Sequence, residues 1–150
     1  MRLLGLLGLL AGCGDKVDVS CTDIGCQDGL QVDFEPVLET AGDYEVEIVV
    51  DGVSTRCLAS LPLDAEAPSS CDEEGVYLTT SGSALSEDQH EITGVYLTAG
   101  PDTVSIGVLR DEAEVGGDTL SPTYTVVQPN GPECEPTCRS ASASVTIDSP

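Results

Sequence analysis

The chain of 150 residues carries 27 acidic and 5 basic side chains, which gives a formal net charge of −22. Its length predicts one domain, and its charge excludes nucleic acid and anionic lipid as electrostatic partners, because both would be repelled. Hydrophobic residues make up 40% of the sequence, which is enough for a folded core and argues against disorder. The seven cysteines are an odd number, which requires an explanation.

The first residues have the pattern of a secretory signal. Arg2 forms a short positive region, and the apolar run Leu3–Leu10 follows it. As a helix, this run would span about 12 Å, against about 30 Å for the hydrocarbon core of a bilayer. It therefore predicts a signal segment rather than a transmembrane anchor.

A short motif at the end of this run resembles the lipobox of bacterial lipoproteins. Its residues are Leu10, Ala11, Gly12 and Cys13. In that family the cysteine thiol receives a diacylglycerol, a signal peptidase cuts before the cysteine, and the new amine is acylated. The resemblance implies a signal peptide at residues 1–12 and lipidation of Cys13. An ordinary cleaved signal with a chance cysteine, or an N-terminal apolar turn of the fold, is the alternative interpretation.

The same resemblance predicts the destination of the chain. In enterobacterial lipoproteins, an Asp directly after the lipidated cysteine favours the inner membrane, whereas this chain has Gly14 at that position. The expectation is therefore an outer membrane lipoprotein that faces the periplasm or the cell surface. Residues 13–20 would be the lipidated cysteine and a short tether, and residues 21–150 the folded domain.

The other six cysteines predict three structural disulfides, because an exported chain reaches an oxidising compartment. They are Cys21, Cys26, Cys57, Cys71, Cys134 and Cys138. A zinc site is disfavoured, since no C-x₂-C occurs and His90 is the only imidazole. A thioredoxin-like redox pair would also need C-x₂-C.

Six cysteines allow fifteen pairings, and the sequence alone does not select one. The preferred pattern joins Cys57 to Cys71 and joins the N-terminal cysteine pair to the C-terminal pair. Each of these pairs precedes a terminal strand, and sandwich folds commonly bring the first and last strands together. The rival pattern closes each terminal pair locally. The proline-rich segment Pro129–Cys138 is interpreted as a staple for the chain end, with a rigid binding surface as the alternative.

Alternating apolar and polar residues predict strands along most of the domain. The alternation occurs at residues 30–35, 44–50, 53–61, 104–108, 124–126 and 141–147. Asp51-Gly52 predicts a hairpin, and the identical pentapeptides Gly75–Thr79 and Gly94–Thr98 predict two similar strands. The best helix candidate, Ser83–His90, is short and polar and is interpreted as a loop. Seven to nine such strands favour an all-β fold, an immunoglobulin-like antiparallel β-sandwich.

Several segments carry a second resemblance. The pattern C-x₄-C-x-D-G-L-x-V at Cys21–Val32 leads into the hairpin that bears Cys57, and Pro122–Thr125 precedes the run P-N-G-P-E-C-E-P-T-C at Pro129–Cys138. Together they resemble a group of small cysteine-rich lipoproteins of unknown function from Gram-negative soil bacteria. The resemblance implies export, disulfides and a sandwich, and it supplies no activity. A second hairpin is expected after the strand at residues 104–108. Asp111-Glu112 stands there in place of the expected Asp-Gly, which suggests a differently shaped turn.

No catalytic residues are predicted, and the chain is not expected to be an enzyme. Nucleophilic catalysis by Ser or Cys usually needs a neighbouring His, and His90 lies in a polar segment that predicts exposure to solvent. No G-x-S-x-G or H-E-x-x-H motif occurs.

Calcium is the one metal that the sequence suggests, because hard cations prefer carboxylate oxygens. The candidate ligands are Asp111, Glu112 and Glu114, with Asp72, Glu73 and Glu74 near a second loop. A solvated acidic surface is the favoured interpretation of both groups.

These features together predict a membrane-anchored envelope lipoprotein whose acidic sandwich domain is non-enzymatic and has a binding or structural role. Its expected partner is an envelope or surface protein, and the lipid on Cys13 is the only attached group expected. The alternative is a calcium-dependent adhesion or ligand-binding module.

Overall fold

The computed structural model describes residues 20–148, so the predicted signal peptide, Cys13 and nearly all of the tether lie outside the described residues. The chain between these limits forms ten strands. They are β1 Gly29–Leu38, β2 Gly42–Val50, β3 Val53–Leu61, β4 Ser70–Cys71, β5 Val76–Ser81, β6 Glu91–Leu97, β7 Val104–Arg110, β8 Ala113–Leu120, β9 Thr125–Val127 and β10 Cys138–Thr146. A 3-10 segment, Glu87–Gln89, precedes β6. Within residues 20–148, no helix has the length and apolar character needed to cross a membrane.

The strands form two five-stranded sheets that pack face to face, which confirms the predicted all-β sandwich. The first sheet has the order β5-β6-β1-β10-β9, and the second has the order β4-β3-β2-β7-β8. One pair of strands differs from the rest: β1 and β10 pair in parallel, from Gly29 opposite Ser140 to Glu35 opposite Thr146, whereas the other strand pairs are antiparallel. A parallel pair needs a long connection, and nearly the whole domain separates these two strands.

The core lies between the sheets and follows the predicted alternation. Phe34 of β1, Val46 of β2, Ile92 of β6, Val108 of β7 and Val145 of β10 are at most 2% exposed. Burial of such a side chain contributes about 1.5–3 kcal/mol to folding. The acidic residues between them on the strands point outward, as the sequence pattern predicts.

Both predicted hairpins turn in the same way. Asp51 and Gly52 join β2 to β3 with φ angles of 51° and 78°. Asp111 and Glu112 join β7 to β8 with φ angles of 51° and 69°, so the second turn is also left-handed although it lacks glycine. A bulge shifts the register between β7 and β8 at Val108 and Leu109.

The two identical pentapeptides form neighbouring strands. In the antiparallel register of β5 and β6, Tyr77 lies directly opposite Tyr96, and Val76 lies opposite Leu97. The two copies of the pentapeptide therefore pair with each other, related by a local twofold axis that passes between the two tyrosines. Both rings lie on the outer face of the first sheet, because Leu78 and Val95 point into the core.

Three disulfides crosslink the domain in the preferred arrangement. Cys57 bonds to Cys71 between β3 and β4. The N-terminal pair bonds to the C-terminal pair as Cys21–Cys134 and Cys26–Cys138. Three disulfides in a domain of this size indicate an oxidising, extracytoplasmic environment.

Candidate binding site on the first sheet

An open hollow of about 550 Å³ lies on the outer face of the first sheet. It is bordered by the segment before β1 and by outward side chains of all five strands of that sheet. The lining residues are Cys26, Gln27, Asp28, Gly29, Gln31, Tyr77, Thr79, Tyr96, Val127, Ser140, Ala141 and Ser142. We call this feature the hollow.

The identical pentapeptides place two aromatic rings on one side of the hollow. Tyr77 is 51% exposed, whereas Tyr96 is half-buried. Directly opposed residues on antiparallel strands have Cβ atoms about 4.5–5.5 Å apart. The two rings therefore form one aromatic edge at this side of the sheet.

Small and polar side chains form the bottom of the hollow. The alternation of serine and alanine along β10 directs Ser140 and Ser142 outward, whereas Ala141 packs against the core. Gln31 of β1 lies opposite Ser142 of β10, and the Nε2 of Gln31 donates a hydrogen bond to Asp33 at 3.0 Å. This bottom surface offers hydroxyl and amide groups, with little side-chain volume above the sheet.

The N-terminal segment closes one end of the hollow and is held there by three contacts. The disulfide between Cys26 and Cys138 fixes it to β10. The hydroxyl of Tyr96 donates a hydrogen bond to the carbonyl oxygen of Asp28. The Oδ1 of Asp28 accepts a hydrogen bond from the backbone N–H of Arg139 at 2.7 Å. This end of the hollow is therefore built by the same crosslinks that stabilise the domain.

The proline-rich segment contributes to this construction through Asn130. Its Oδ1 accepts hydrogen bonds from the Thr22 hydroxyl at 2.6 Å and from the Ile24 N–H at 3.0 Å. Its Nδ2 donates to the carbonyl oxygens of Ile24 and Glu135 at 2.9 and 2.8 Å. Because the Asn130 amide is occupied in this way, the segment acts as a staple between the chain ends.

The expectation that His90 is solvated is wrong. The residue is only 7% exposed, and its Nδ1 accepts a hydrogen bond from the backbone N–H of Leu63 at 3.0 Å. The other ring nitrogen, Nε2, lies 3.4 Å from the carbonyl oxygen of Leu85. The polar neighbours of His90 in the sequence concealed this role, because they point outward from the loop. His90 does not line the hollow.

The carboxylates proposed as calcium ligands do not converge. Asp111 and Glu112 border a depression on the second sheet, whereas Glu114 borders a different one beside Asp118. The Oδ1 of Asp111 accepts a hydrogen bond from the N–H of Asp43 at 3.0 Å.

The second acidic group is also spread over the surface. Asp72, Glu73 and Glu74 are exposed, and an oxygen of Asp72 lies 3.9 Å from Arg56. Within residues 20–148, no three His, Cys, Asp or Glu side chains are placed to hold a metal ion.

Of the residues that line the hollow, only Cys26 is a site residue predicted from the sequence. Two signals were present in the sequence. One is the repeat that carries Tyr77 and Tyr96, and the other is the serine–alanine alternation at Ser140–Ser144. Each of these two signals predicts a strand. Only the sheet order shows that the strands share a face, since β1 and β10 are distant in the chain.

Comparison with known proteins gives no assignment, since no family model, curated protein or solved structure matches the chain.

Proposed function

We propose that the chain is a lipid-anchored protein of the cell envelope whose sandwich domain is a non-enzymatic binding module. The observation that carries the binding role is the hollow on the first sheet. It is open to solvent, lined by aromatic, amide and hydroxyl groups, and has an end wall fixed by a disulfide. Concave sites with a few placed polar groups are the usual form of ligand sites in proteins.

Two observations support the envelope location. The three disulfides indicate an oxidising compartment, and the lipobox-like motif ends at Cys13, eight residues before the first bonded cysteine, Cys21. Two or three acyl chains on Cys13 would give stable membrane anchoring, whereas one chain gives only marginal binding. The outer membrane is the proposed destination, because Gly14 follows the cysteine.

Anchoring is tested with Cys13→Ser in cells of a Gram-negative bacterium. The wild-type chain is expected to partition into the detergent phase and to incorporate radiolabelled palmitate. The variant should remain in the aqueous phase without label. Partitioning of the variant with the detergent, or absence of label from the wild type, contradicts lipidation.

Binding is tested by photo-crosslinking in intact cells. A photoreactive amino acid at position 142 probes the hollow, and the same residue at position 58 is the matched control. Leu58 is 46% exposed on the outer face of the second sheet, and Ser142 is also exposed, so both positions are accessible. We expect adducts with an envelope component from position 142 and none from position 58. Adducts from neither position, or equal adducts from both, contradict a binding role for the hollow.

A further inference from the structure

We infer that the ligand of the hollow is a neutral carbohydrate, packed against Tyr77 and Tyr96 and hydrogen-bonded to the bottom of the hollow. The inference deepens the proposed binding function and depends on it. The lining side chains themselves define the ligand class, through their shape, their hydrogen-bonding groups and their charge.

The aromatic edge provides the first requirement. The face of an aromatic ring carries partial negative charge, and it attracts the weakly positive C–H groups on the face of a pyranose ring. Tyr77 is available for such packing, because about half of its surface is exposed. Tyr96 is held in position by the hydrogen bond from its hydroxyl to the Asp28 carbonyl. A fixed ring loses little conformational entropy when a ligand binds.

The polar groups at the bottom of the hollow provide the second requirement. Sugar hydroxyls donate and accept hydrogen bonds, so they need partners of both kinds. Ser140 and Ser142 supply hydroxyls that can do either, and Gln31 supplies an amide oxygen that accepts while its Nε2 donates to Asp33. A purely apolar ligand would cover these groups without replacing the hydrogen bonds that water makes with them, which is costly.

Charge provides the third requirement. Among residues 20–148, no Lys or Arg lines the hollow, and the one charged residue that does is Asp28, whose carboxylate accepts a hydrogen bond from the backbone of Arg139. The net charge of −22 adds a long-range repulsion of anions. Phosphorylated and uronic-acid sugars are therefore disfavoured, and neutral sugars meet all three requirements.

The test uses the full chain in detergent, with its disulfides intact, titrated calorimetrically with four neutral hexasaccharides. The probes are cellohexaose, maltohexaose, mannohexaose and N-acetylchitohexaose, and hexagalacturonate is the anionic comparison. We expect at least one neutral probe to bind and hexagalacturonate not to bind. If none of the four neutral probes binds at millimolar concentration, or if hexagalacturonate binds best, the inference is wrong.

Two variants locate the binding. Tyr77→Ala removes part of the aromatic edge and is expected to weaken binding about tenfold. Ser142→Tyr fills the bottom of the hollow from an exposed position and is expected to abolish binding. Leu58→Ala, on the second sheet, is the matched control and should leave the affinity unchanged. Each variant is checked for an unchanged melting temperature. Unchanged affinity in both hollow variants overturns the assignment.

The outcomes separate this inference from the proposed function. Crosslinks from position 142 without sugar binding would keep the binding role and remove carbohydrate as its ligand. Sugar binding by a chain that fails to partition into detergent would keep the ligand and remove the lipid anchor.

Discussion

The Nδ1 atom of His90 accepts a hydrogen bond from the backbone N–H of Leu63 at 3.0 Å. Leu63 follows β3 of the second sheet, and His90 precedes β6 of the first sheet. The bond thus joins the two sheets at one end of the sandwich, between two residues that are at most 7% exposed. An accepting Nδ1 requires the neutral tautomer with its proton on Nε2, which faces the Leu85 carbonyl.

Removal of this imidazole is expected to destabilise the domain. His90→Ala leaves the Leu63 N–H buried without an acceptor, which costs about 1–3 kcal/mol of the free energy of unfolding. His90→Asn is the matched variant, because the amide oxygen of Asn can occupy the position of Nδ1. Urea unfolding should show a smaller loss for Asn than for Ala. Equal losses would show that the hydrogen bond is unimportant and that only side-chain volume matters.

The paired terminal disulfides should contribute to stability in a non-additive way. With Cys26–Cys138 intact, the Cys21–Cys134 bond closes only a ring of about ten residues, so its loss should cost about 3 kcal/mol by chain entropy. Loss of both bonds opens a loop of more than 100 residues and should cost about 7.5 kcal/mol, more than the two single losses combined. The measurement is chemical unfolding of the paired Cys→Ala variants.

The Cys57–Cys71 bond provides the control for this comparison. Its cysteines are 14 residues apart, within the long loop but sharing neither of its ends, so its removal should cost about 3 kcal/mol with or without either terminal bond. If the losses of stability from the two terminal bonds add strictly, the explanation that both bonds close the same long loop is wrong.

The left-handed turn between β7 and β8 should accept glycine with a gain in stability. Glu112 has a φ of 69°, which is costly for a residue with a Cβ atom. Glu112→Gly removes that cost but adds entropy to the unfolded chain, so we expect a net gain of about 0.5–1 kcal/mol. The melting temperature should rise accordingly.

The other hairpin provides the reverse experiment. Gly52 has a φ of 78°, and a Cβ atom added there would meet no atom within 4 Å. Gly52→Ala therefore changes backbone strain without a steric clash and should lower the melting temperature. If the melting temperature changes in the same direction in both variants, backbone strain does not determine the stability of these turns.

Tyr44 should make the domain sensitive to alkaline pH. Burial raises the pKa of Tyr44 above its ordinary value of 10.0, although Arg110 partly opposes the shift. At pH values between the pKa of Tyr44 in the unfolded chain and its higher pKa in the folded chain, the unfolded chain binds fewer protons. The stability that depends on protonated Tyr44 is therefore fully present below pH 10 and falls as the pH rises above it.

Tyr44→Phe tests this dependence. At neutral pH the variant loses the hydrogen bond from the Tyr44 hydroxyl to the Thr40 carbonyl, 2.7 Å in length, and should be less stable by about 1 kcal/mol. Above pH 10 its stability should fall less steeply than that of the wild type. Parallel pH profiles of the two proteins in urea unfolding would contradict the role of Tyr44.

Calcium is not expected to stabilise the domain. Asp111 already accepts a hydrogen bond from Asp43, and Glu114 borders a different depression from Glu112. The melting temperature in millimolar calcium should therefore equal that in chelator. A rise with calcium that Glu112→Gln removes would restore the calcium-dependent alternative.

The sequence predicts those parts of the fold that depend on local pattern. Alternation predicts β1, β2, β3 and β10, and Asp51-Gly52 predicts its hairpin, because side-chain period and turn chemistry act over a few residues. The pairing of the terminal cysteines follows from the expected adjacency of the first and last strands. The parallel direction of that pair is not predictable in this way, since alternation is the same in both directions.

The candidate site is less predictable than the fold. The hollow combines β5, β6, β1, β10 and β9, and this order is set by packing between distant segments. Tyr77 and Tyr96 are visible as a repeat, but their shared face depends on the strand register. His90 shows the same limit, since its acceptor role depends on Leu63, which is 27 residues away in the chain.

The parallel pairing of β1 and β10 gives the molecule two distinct poles. Both strands start beside the terminal disulfides, so a chain anchored at Cys13 would direct its C-terminus away from the bilayer. The acidic turn at Asp111 lies at this outer pole, because Arg110 pairs with Tyr44 near the start of β2. The hollow lies toward the inner pole, beside Cys26. Fully extended, residues 14–20 would span about 25 Å, so a chain anchored at Cys13 would hold its ligand near the lipid headgroups.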